Sequence, residues 1–274
     1  LNALFACACI PHATIADLQA AISSERVVTE LAEFARESPF LTRTAEGEFV
    51  PHPLLASLLV EHRQEQRDEV LMHTARVHEE AKRYQRAAEL HLARGDHPAA
   101  AKALGQHEVI RDHTPSMAYA RVLSSLDRTL IQRYPRLWAV TALLRIFCVD
   151  TEELLDEAES LWRTLAPSCS ATERYYILVF RVLFMSYIGL LEEAAEILER
   201  FGVEHGVGDE PKNHFEGYLF YLLGIMRSRL GHIARAERDL TLALPHVGGM
   251  DIMASGTLLA LGADIARVRG EYPV

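Results

Sequence analysis

The stretch Phe220-Tyr221-Leu222-Leu223-Gly224-Ile225-Met226-Arg227-Ser228-Arg229-Leu230-Gly231-His232-Ile233-Ala234-Arg235-Ala236-Glu237-Arg238-Asp239-Leu240-Thr241-Leu242-Ala243 decides how this chain folds. Its apolar residues fall at helical spacing on both sides of Gly231. A glycine there ends one helix, because the residue just past a helix end commonly needs a left-handed backbone. Five residues later Ala236 lies on the second helix, where a small side chain lets two helices cross closely. The same pair of signals recurs as Gly95 with Ala100 and Gly189 with Ala194, and Gly270 sits where the next one falls. Gly189 and Gly231 are 42 residues apart, Gly231 and Gly270 39. Periods of this size point to an array of helical repeats.

The other units agree in part. Around Gly189 the chain keeps Leu178, Ala194 and Leu198 but places Val182 where the first unit has a small residue. Tyr84, Ala88, Gly95, Ala100 and Leu104 fit as well. Residues 135–165 fit loosely, since their turn, Cys148-Val149-Asp150, lacks glycine. Asp150 with Glu153, Ser170 with Glu173 and Asn213 with Glu216 have the spacing of capping boxes and mark helix starts. The pattern of Leu223-Gly224, Gly231, Ala236, Leu240 and Ala243 resembles the tetratricopeptide consensus. From about Asp68 onward only helices are expected.

Residues 1–65 read differently. Helical spacing marks a segment around Leu4 to Ile10, and Thr14 to Asp17 opens a second helix with a capping-box variant. A third helix covers about Ser24 to Arg36, with Val27, Val28, Leu31 and Phe34 on one face. Then the period shortens. Phe40-Leu41-Thr42-Arg43 and Glu48-Phe49-Val50 read as two strands joined by the turn Thr44-Ala45-Glu46-Gly47. Pro51-His52-Pro53 leads into a further helix with Pro53 in its first turn. Three helices, a β-hairpin and a helix make a winged-helix pattern. The expected fold is therefore mostly α: a winged-helix domain over residues 1–65, then a tetratricopeptide-like α-solenoid of helical hairpins over 66–274.

Composition bounds the function. The 274 residues are 49% hydrophobic and 24% charged, enough apolar content for a packed core, and the net charge is −10. The longest basic cluster, Lys82-Arg83-Tyr84-Gln85-Arg86, follows Glu79 and Glu80, so this stretch presents no basic stripe for nucleic acid. Four scattered cysteines, Cys7, Cys9, Cys148 and Cys169, do not make a disulfide framework and suit a reducing cytosol. No run approaches the ~18 apolar residues of a membrane span. Leu1-Asn2-Ala3-Leu4-Phe5 does not read as a signal peptide, and both ends fall within patterns, so a piece of a larger protein is expected.

Residues 31–105 carry a more specific resemblance. Leu31, Phe34, Pro39-Phe40-Leu41, Phe49-Val50-Pro51-His52-Pro53-Leu54, Leu58-Leu59, His78-Glu79-Glu80-Ala81, the run from Tyr84 to Ala93 and Arg94-Gly95-Asp96-His97-Pro98-Ala99-Ala100 carry it. Together they resemble the middle of the large MalT-like transcriptional regulators of the LuxR family, a branch of the STAND signal-transduction ATPases. The resemblance implies a bacterial regulator whose ATPase module ends in a winged helix. A helical array then senses a small-molecule inducer or a protein partner, and a C-terminal helix-turn-helix binds DNA. Neither a Gly-x-x-x-x-Gly-Lys-Ser/Thr motif nor that helix-turn-helix occurs in these residues. ATP or ADP, and contact with DNA, would belong to the intact protein. Self-association is compatible with such an array. The resemblance further implies that His52, at the junction of wing and helix, reaches the β-phosphate of bound ADP; a histidine capping a helix start is the plainer reading.

No catalytic centre is expected. Ser, His and Asp do not recur at a recognisable spacing, and Glu152-Glu153 and Glu192-Glu193 begin helices, where carboxylates favour the helix dipole. Cys7, Cys9 and His12 do not make a metal site, because residues two apart on a helix point away from one another. The aromatic stripes Tyr175, Tyr176, Phe180, Phe184, Tyr187 and Phe215, Tyr218, Phe220, Tyr221 read first as core between repeats. The helices at about 172–188 and 214–230 would line a concave face. Tyr175, Arg181, Tyr218, Tyr221 and Arg227 are the candidate ligand or partner groove there, a mixture suited to a sugar, a peptide or an acidic small molecule. A tetratricopeptide scaffold that binds peptides or proteins, without ATPase or DNA-binding role, is the rival reading.

Overall fold

The computed structural model describes residues 2–22, 24–106, 117–145 and 149–247. Within them the chain is mostly helical: fifteen α-helices, one 3-10 turn and a two-stranded sheet. They divide into two compact units, one holding residues 2–106 and 117–134 and the other residues 135–247.

In the first unit the order is α1 Asn2–Cys9, α2 Ile15–Ile22, α3 Glu25–Glu37, β1 Leu41–Arg43, β2 Phe49–Pro51 and α4 Pro53–Val60. Then follow α5 Gln64–Glu80, α6 Tyr84–Ala93, α7 His97–Gln106, α8 Met117–Ser124 and α9 Arg128–Gln132. The strands pair antiparallel around Gly47, which takes φ 82°, and an isolated bridge joins Ala13 to Phe49. The hairpin thus appears where the period of the sequence shortens, and the Ala13 bridge is an addition to it. Thr14 and Asp17 form the expected reciprocal cap: Thr14 N donates to Asp17 Oδ2 at 2.7 Å and Asp17 N to Thr14 Oγ1 at 3.3 Å. Ile10, Leu18, Leu31, Phe49, Leu71 and Leu90 belong to one buried cluster, so α5 and α6 share a core with the helices before the hairpin. The division between the units falls after residue 134.

Two details of this unit depart from the apolar pattern. Val28 and Leu31 are buried, but Phe34 on the same helix is 44% exposed. The helix α4 has no buried residue, and Leu54 and Leu58 are 71% and 73% exposed.

The second unit holds α10 Pro135–Arg145, α11 Thr151–Thr164, a 3-10 turn Ala166–Ser168, α12 Ala171–Tyr187, α13 Leu191–Glu204, α14 His214–Arg229 and α15 Ile233–Val247. Ser170 and Glu173 make a full capping box at α12. At α14, Asn213 Oδ1 accepts from Glu216 N at 3.0 Å, while the Glu216 carboxylate reaches back to Lys212 N at 2.8 Å. At α11, Asp150 accepts from Glu152 N instead, and Glu153 turns to Arg145. The core centres on Trp138, whose ring meets Phe180 and Phe184 edge-on. Its Nε1 donates to Glu157 at 3.2 Å, and Arg145 Nη1 holds the same carboxylate at 2.9 Å.

Five helix ends follow one local rule. Gly95, Gly189, Gly206 and Gly231 take φ of 82°, 91°, 67° and 81°, and Lys82 takes 58° in the equivalent place. After each, the next N–H donates five residues back: Arg83 to His78 O at 2.8 Å, Asp96 to His91 O at 2.9 Å, Leu190 to Met185 O at 2.9 Å, Val207 to Gly202 O at 2.9 Å and His232 to Arg227 O at 2.8 Å. These are Schellman closures. Ala100, Ala194 and Ala236 are all fully buried, as the Gly–Ala spacing requires. The pair α14 and α15 crosses closely at two glycines. A Cβ on Gly224 would come within 2.6 Å of Leu240 Cδ2, and one on Gly217 within 2.3 Å of His246 Cβ. Gly270 and Cys148 lie outside the described residues.

Candidate functional site

A cavity of about 170 Å³ lies in the second unit where α12, α13 and α14 meet. The first turns of α12 contribute Ala171, Thr172 and Tyr175; the end of α13 and the turn after it contribute Phe201, His205 and Val207. Asn213, Phe215, Glu216 and Leu219 close it from the start of α14. The capping pairs described above set this geometry, because they fix where α12 and α14 begin and therefore which residues face the cavity.

Its walls are aromatic. The Tyr175 and Phe215 rings meet edge-on at 5.2 Å, and Tyr175 lies 6.2 Å from Phe201. Phe201 and His205 stack with centroids 3.9 Å apart. The Tyr175 hydroxyl donates to Phe215 O at 2.9 Å, which ties α12 to α14, and burial pushes its pKa well above the ordinary phenol value. His205 Nδ1 bonds to Phe201 O at 2.9 Å; a carbonyl only accepts, so Nδ1 carries a proton. Glu216 is the single acidic lining residue, and lysine and arginine are absent from the lining.

Of the residues expected to line a groove, only Tyr175 reaches this cavity. Tyr221 is buried, 5.3 Å from the Tyr218 ring, which also lies 6.3 Å from His214. Arg181 Nε donates to Glu159 at 2.6 Å, and its guanidinium sits 5.7 Å over the Trp162 ring. Arg227 is held between Asp239 and Glu199, the latter at 2.5 Å. Both guanidinium groups are therefore bonded to carboxylates of neighbouring helices. Phe201 and His205 were not anticipated; their i, i+4 spacing at the end of α13 is the only local signal for them.

His52 is the N-cap of α4, its Nδ1 accepting from Leu54 N at 3.3 Å, and its side chain is exposed. No family model, no curated protein and no solved structure matches the chain. Among the described residues no group of three or more His, Cys, Asp or Glu side chains could hold a metal ion. No described helix is long and apolar enough to cross a membrane.

A buried cluster of polar and titratable groups lies in the first unit. Asp17, fully buried, accepts from Arg86 Nε and Nη2, each at 2.9 Å, and from Thr14, and lies 2.8 Å from His78 Nε2. Arg86 Nη2 also donates to Pro11 O at 2.7 Å. Burial alone would raise the Asp17 pKa, but the bonds from His78 and Arg86 outweigh it and hold the carboxylate far below its usual range. With His78 only 2% exposed, this cluster is closed to a substrate and pins α2 to α5 and α6.

Proposed function

We propose that the chain is the effector-sensing helical region of a bacterial MalT-like transcriptional regulator. It would relay an occupied or empty state to an ATPase module and a DNA-binding domain outside these residues, in the cytoplasm. The observation that carries this reading is the aromatic cavity at the junction of α12, α13 and α14. A ligand there touches the start of two first helices and the end of the second helix between them, so its binding changes how successive hairpins pack. The Gly-closed hairpins and the β-hairpin leading through His52 to a Pro-started helix support the same reading.

The rival, a peptide-binding scaffold, needs free polar side chains along a groove. Arg181 and Arg227, expected in a ligand or partner groove under either reading, are bonded to Glu159, Glu199 and Asp239. The test uses the intact gene product. Its reading frame is expected to carry a phosphate-binding loop upstream and a helix-turn-helix downstream, and the protein to retain ADP. His52→Ala is expected to weaken that retention. A frame lacking both motifs leaves the scaffold reading.

A further inference from the structure

We infer that the cavity at the α12–α13–α14 junction binds a small organic cation with a single-ring apolar body, an arylalkylamine in chemical class. The inference takes the cavity as the effector site of the proposed sensor, but the ligand class follows from the cavity alone.

Size comes first. A volume of about 170 Å³ accommodates one aromatic ring with a short chain. The walls come second. Tyr175, Phe201 and Phe215 offer ring surface, and aromatic rings attract cations through their quadrupole. Charge decides the rest. Glu216 is the one carboxylate of the lining, with no lysine or arginine to neutralise it there.

Two helix starts at the cavity would by themselves favour an anion. They are already occupied. Glu173 N donates to Ser170 Oγ and Ser170 N to the Glu173 carboxylate; Glu216 N donates to Asn213 and Lys212 N to the Glu216 carboxylate. Each helix start thus carries its own carboxylate; Glu216 also accepts from Asn213 Nδ2 at 2.7 Å, and no lysine or arginine of the lining offers an incoming anion a counter-charge.

The probes are 2-phenylethylammonium, 2-phenylethanol and phenylacetate, titrated calorimetrically into the chain at pH 7. The amine is expected to bind at least tenfold more tightly than the alcohol, and the acid more weakly still. Glu216→Gln keeps the reach-back bond to Lys212 N, because glutamine serves the same capping role. It is expected to cut amine affinity about tenfold and leave alcohol binding unchanged. Ala171→Trp, which fills the cavity, is expected to abolish binding of both, with circular dichroism showing the helices retained. Absence of amine binding, equal affinity for amine and acid, or amine binding indifferent to Glu216→Gln each overturns the inference. The comparison among the three probes needs only the unaltered chain, so a misfolded variant does not obscure it. A parent protein without ATPase or DNA-binding modules would remove the regulator reading and leave this result standing.

Discussion

His78 Nε2 lies 2.8 Å from Asp17 Oδ1, a bond between residues 61 positions apart in which both side chains are sealed from solvent. With Arg86 on the other side of the carboxylate, it clamps α2 against α5 and α6. Removing one partner of a buried, hydrogen-bonded ion pair costs about 3–5 kcal/mol. Asp17→Ala is expected to lower the stability of the first unit by that amount in urea denaturation.

The same clamp sets an acid response. The folded Asp17 carboxyl ionises far below its unfolded value of about 3.9. Its contribution is therefore complete above about pH 5 and fades as the pH falls through the acid range. Thermal melts between pH 7 and pH 3 should show stability falling below pH 5. In Asp17→Asn the melting temperature should start lower and fall less, so that the two curves converge in acid.

Gly217 and Gly224 test the crossing of α14 and α15. Adding a methyl group at either pushes it into a neighbour, His246 Cβ or Leu240 Cδ2. Overpacking of this kind costs about 1–3 kcal/mol. Gly217→Ala is expected to cost more, since Leu240 ends in a flexible chain and can shift while a Cβ cannot.

Lys82 tests the turns. Its φ of 58° is a conformation that costs a side-chain-bearing residue about 1–2 kcal/mol, and its neighbours already make the Schellman bond. Lys82→Gly is expected to gain up to about 1 kcal/mol in chemical denaturation, the remainder being offset by the freer unfolded glycine. Gly231→Ala, with φ 81°, should lose a comparable amount.

Arg227 and Arg181 should separate sharply. Arg227→Ala leaves Asp239, only 3% exposed, buried beside an empty position and should cost about 3–5 kcal/mol. Glu159, the partner of Arg181, is a third exposed and can be hydrated, so Arg181→Ala should cost about 1 kcal/mol. Melting temperatures of the two variants check the order.

Cysteine labelling reads the packing directly. Burial pushes the Cys7 thiol up to about 12 and the Cys9 thiol up to about 11, the latter against the lowering effect of Arg67. Few thiolates form at pH 8, and the thiolate is the reacting species. Peptide mapping after iodoacetamide should find Cys169, which is partly exposed, modified before either.

What could be read in advance was local chemistry. Gly95, Gly189 and Gly231 announce their turns because the backbone there excludes most side chains, and Ser170 with Glu173 announces a helix start three residues long. Lys82 hides the same turn behind an unremarkable residue. The Thr14–Asp17 cap was legible, but its link to His78 and Arg86 was not, since nothing in the spacing of residues 14–17 refers to residues 61 and 69 further on. Arg181 and Arg227 pointed to a groove for the same reason: their acids, Glu159, Glu199 and Asp239, sit on other helices. Tyr175, expected in a groove as an aromatic on α12, lines the cavity between α12, α13 and α14. Phe201 and His205 were missed because α13 reads as an ordinary amphipathic helix, and only its meeting with α14 turns that end into a wall.

The Schellman closures have a consequence for descent. Each is made by backbone groups within six consecutive residues, so a hairpin copied by gene duplication would carry its own stop signals with it. The copy need only match its neighbours at small positions such as Ala194 or Ala236. A hairpin closed this way could be added or lost by recombination between copies without any change to its turn.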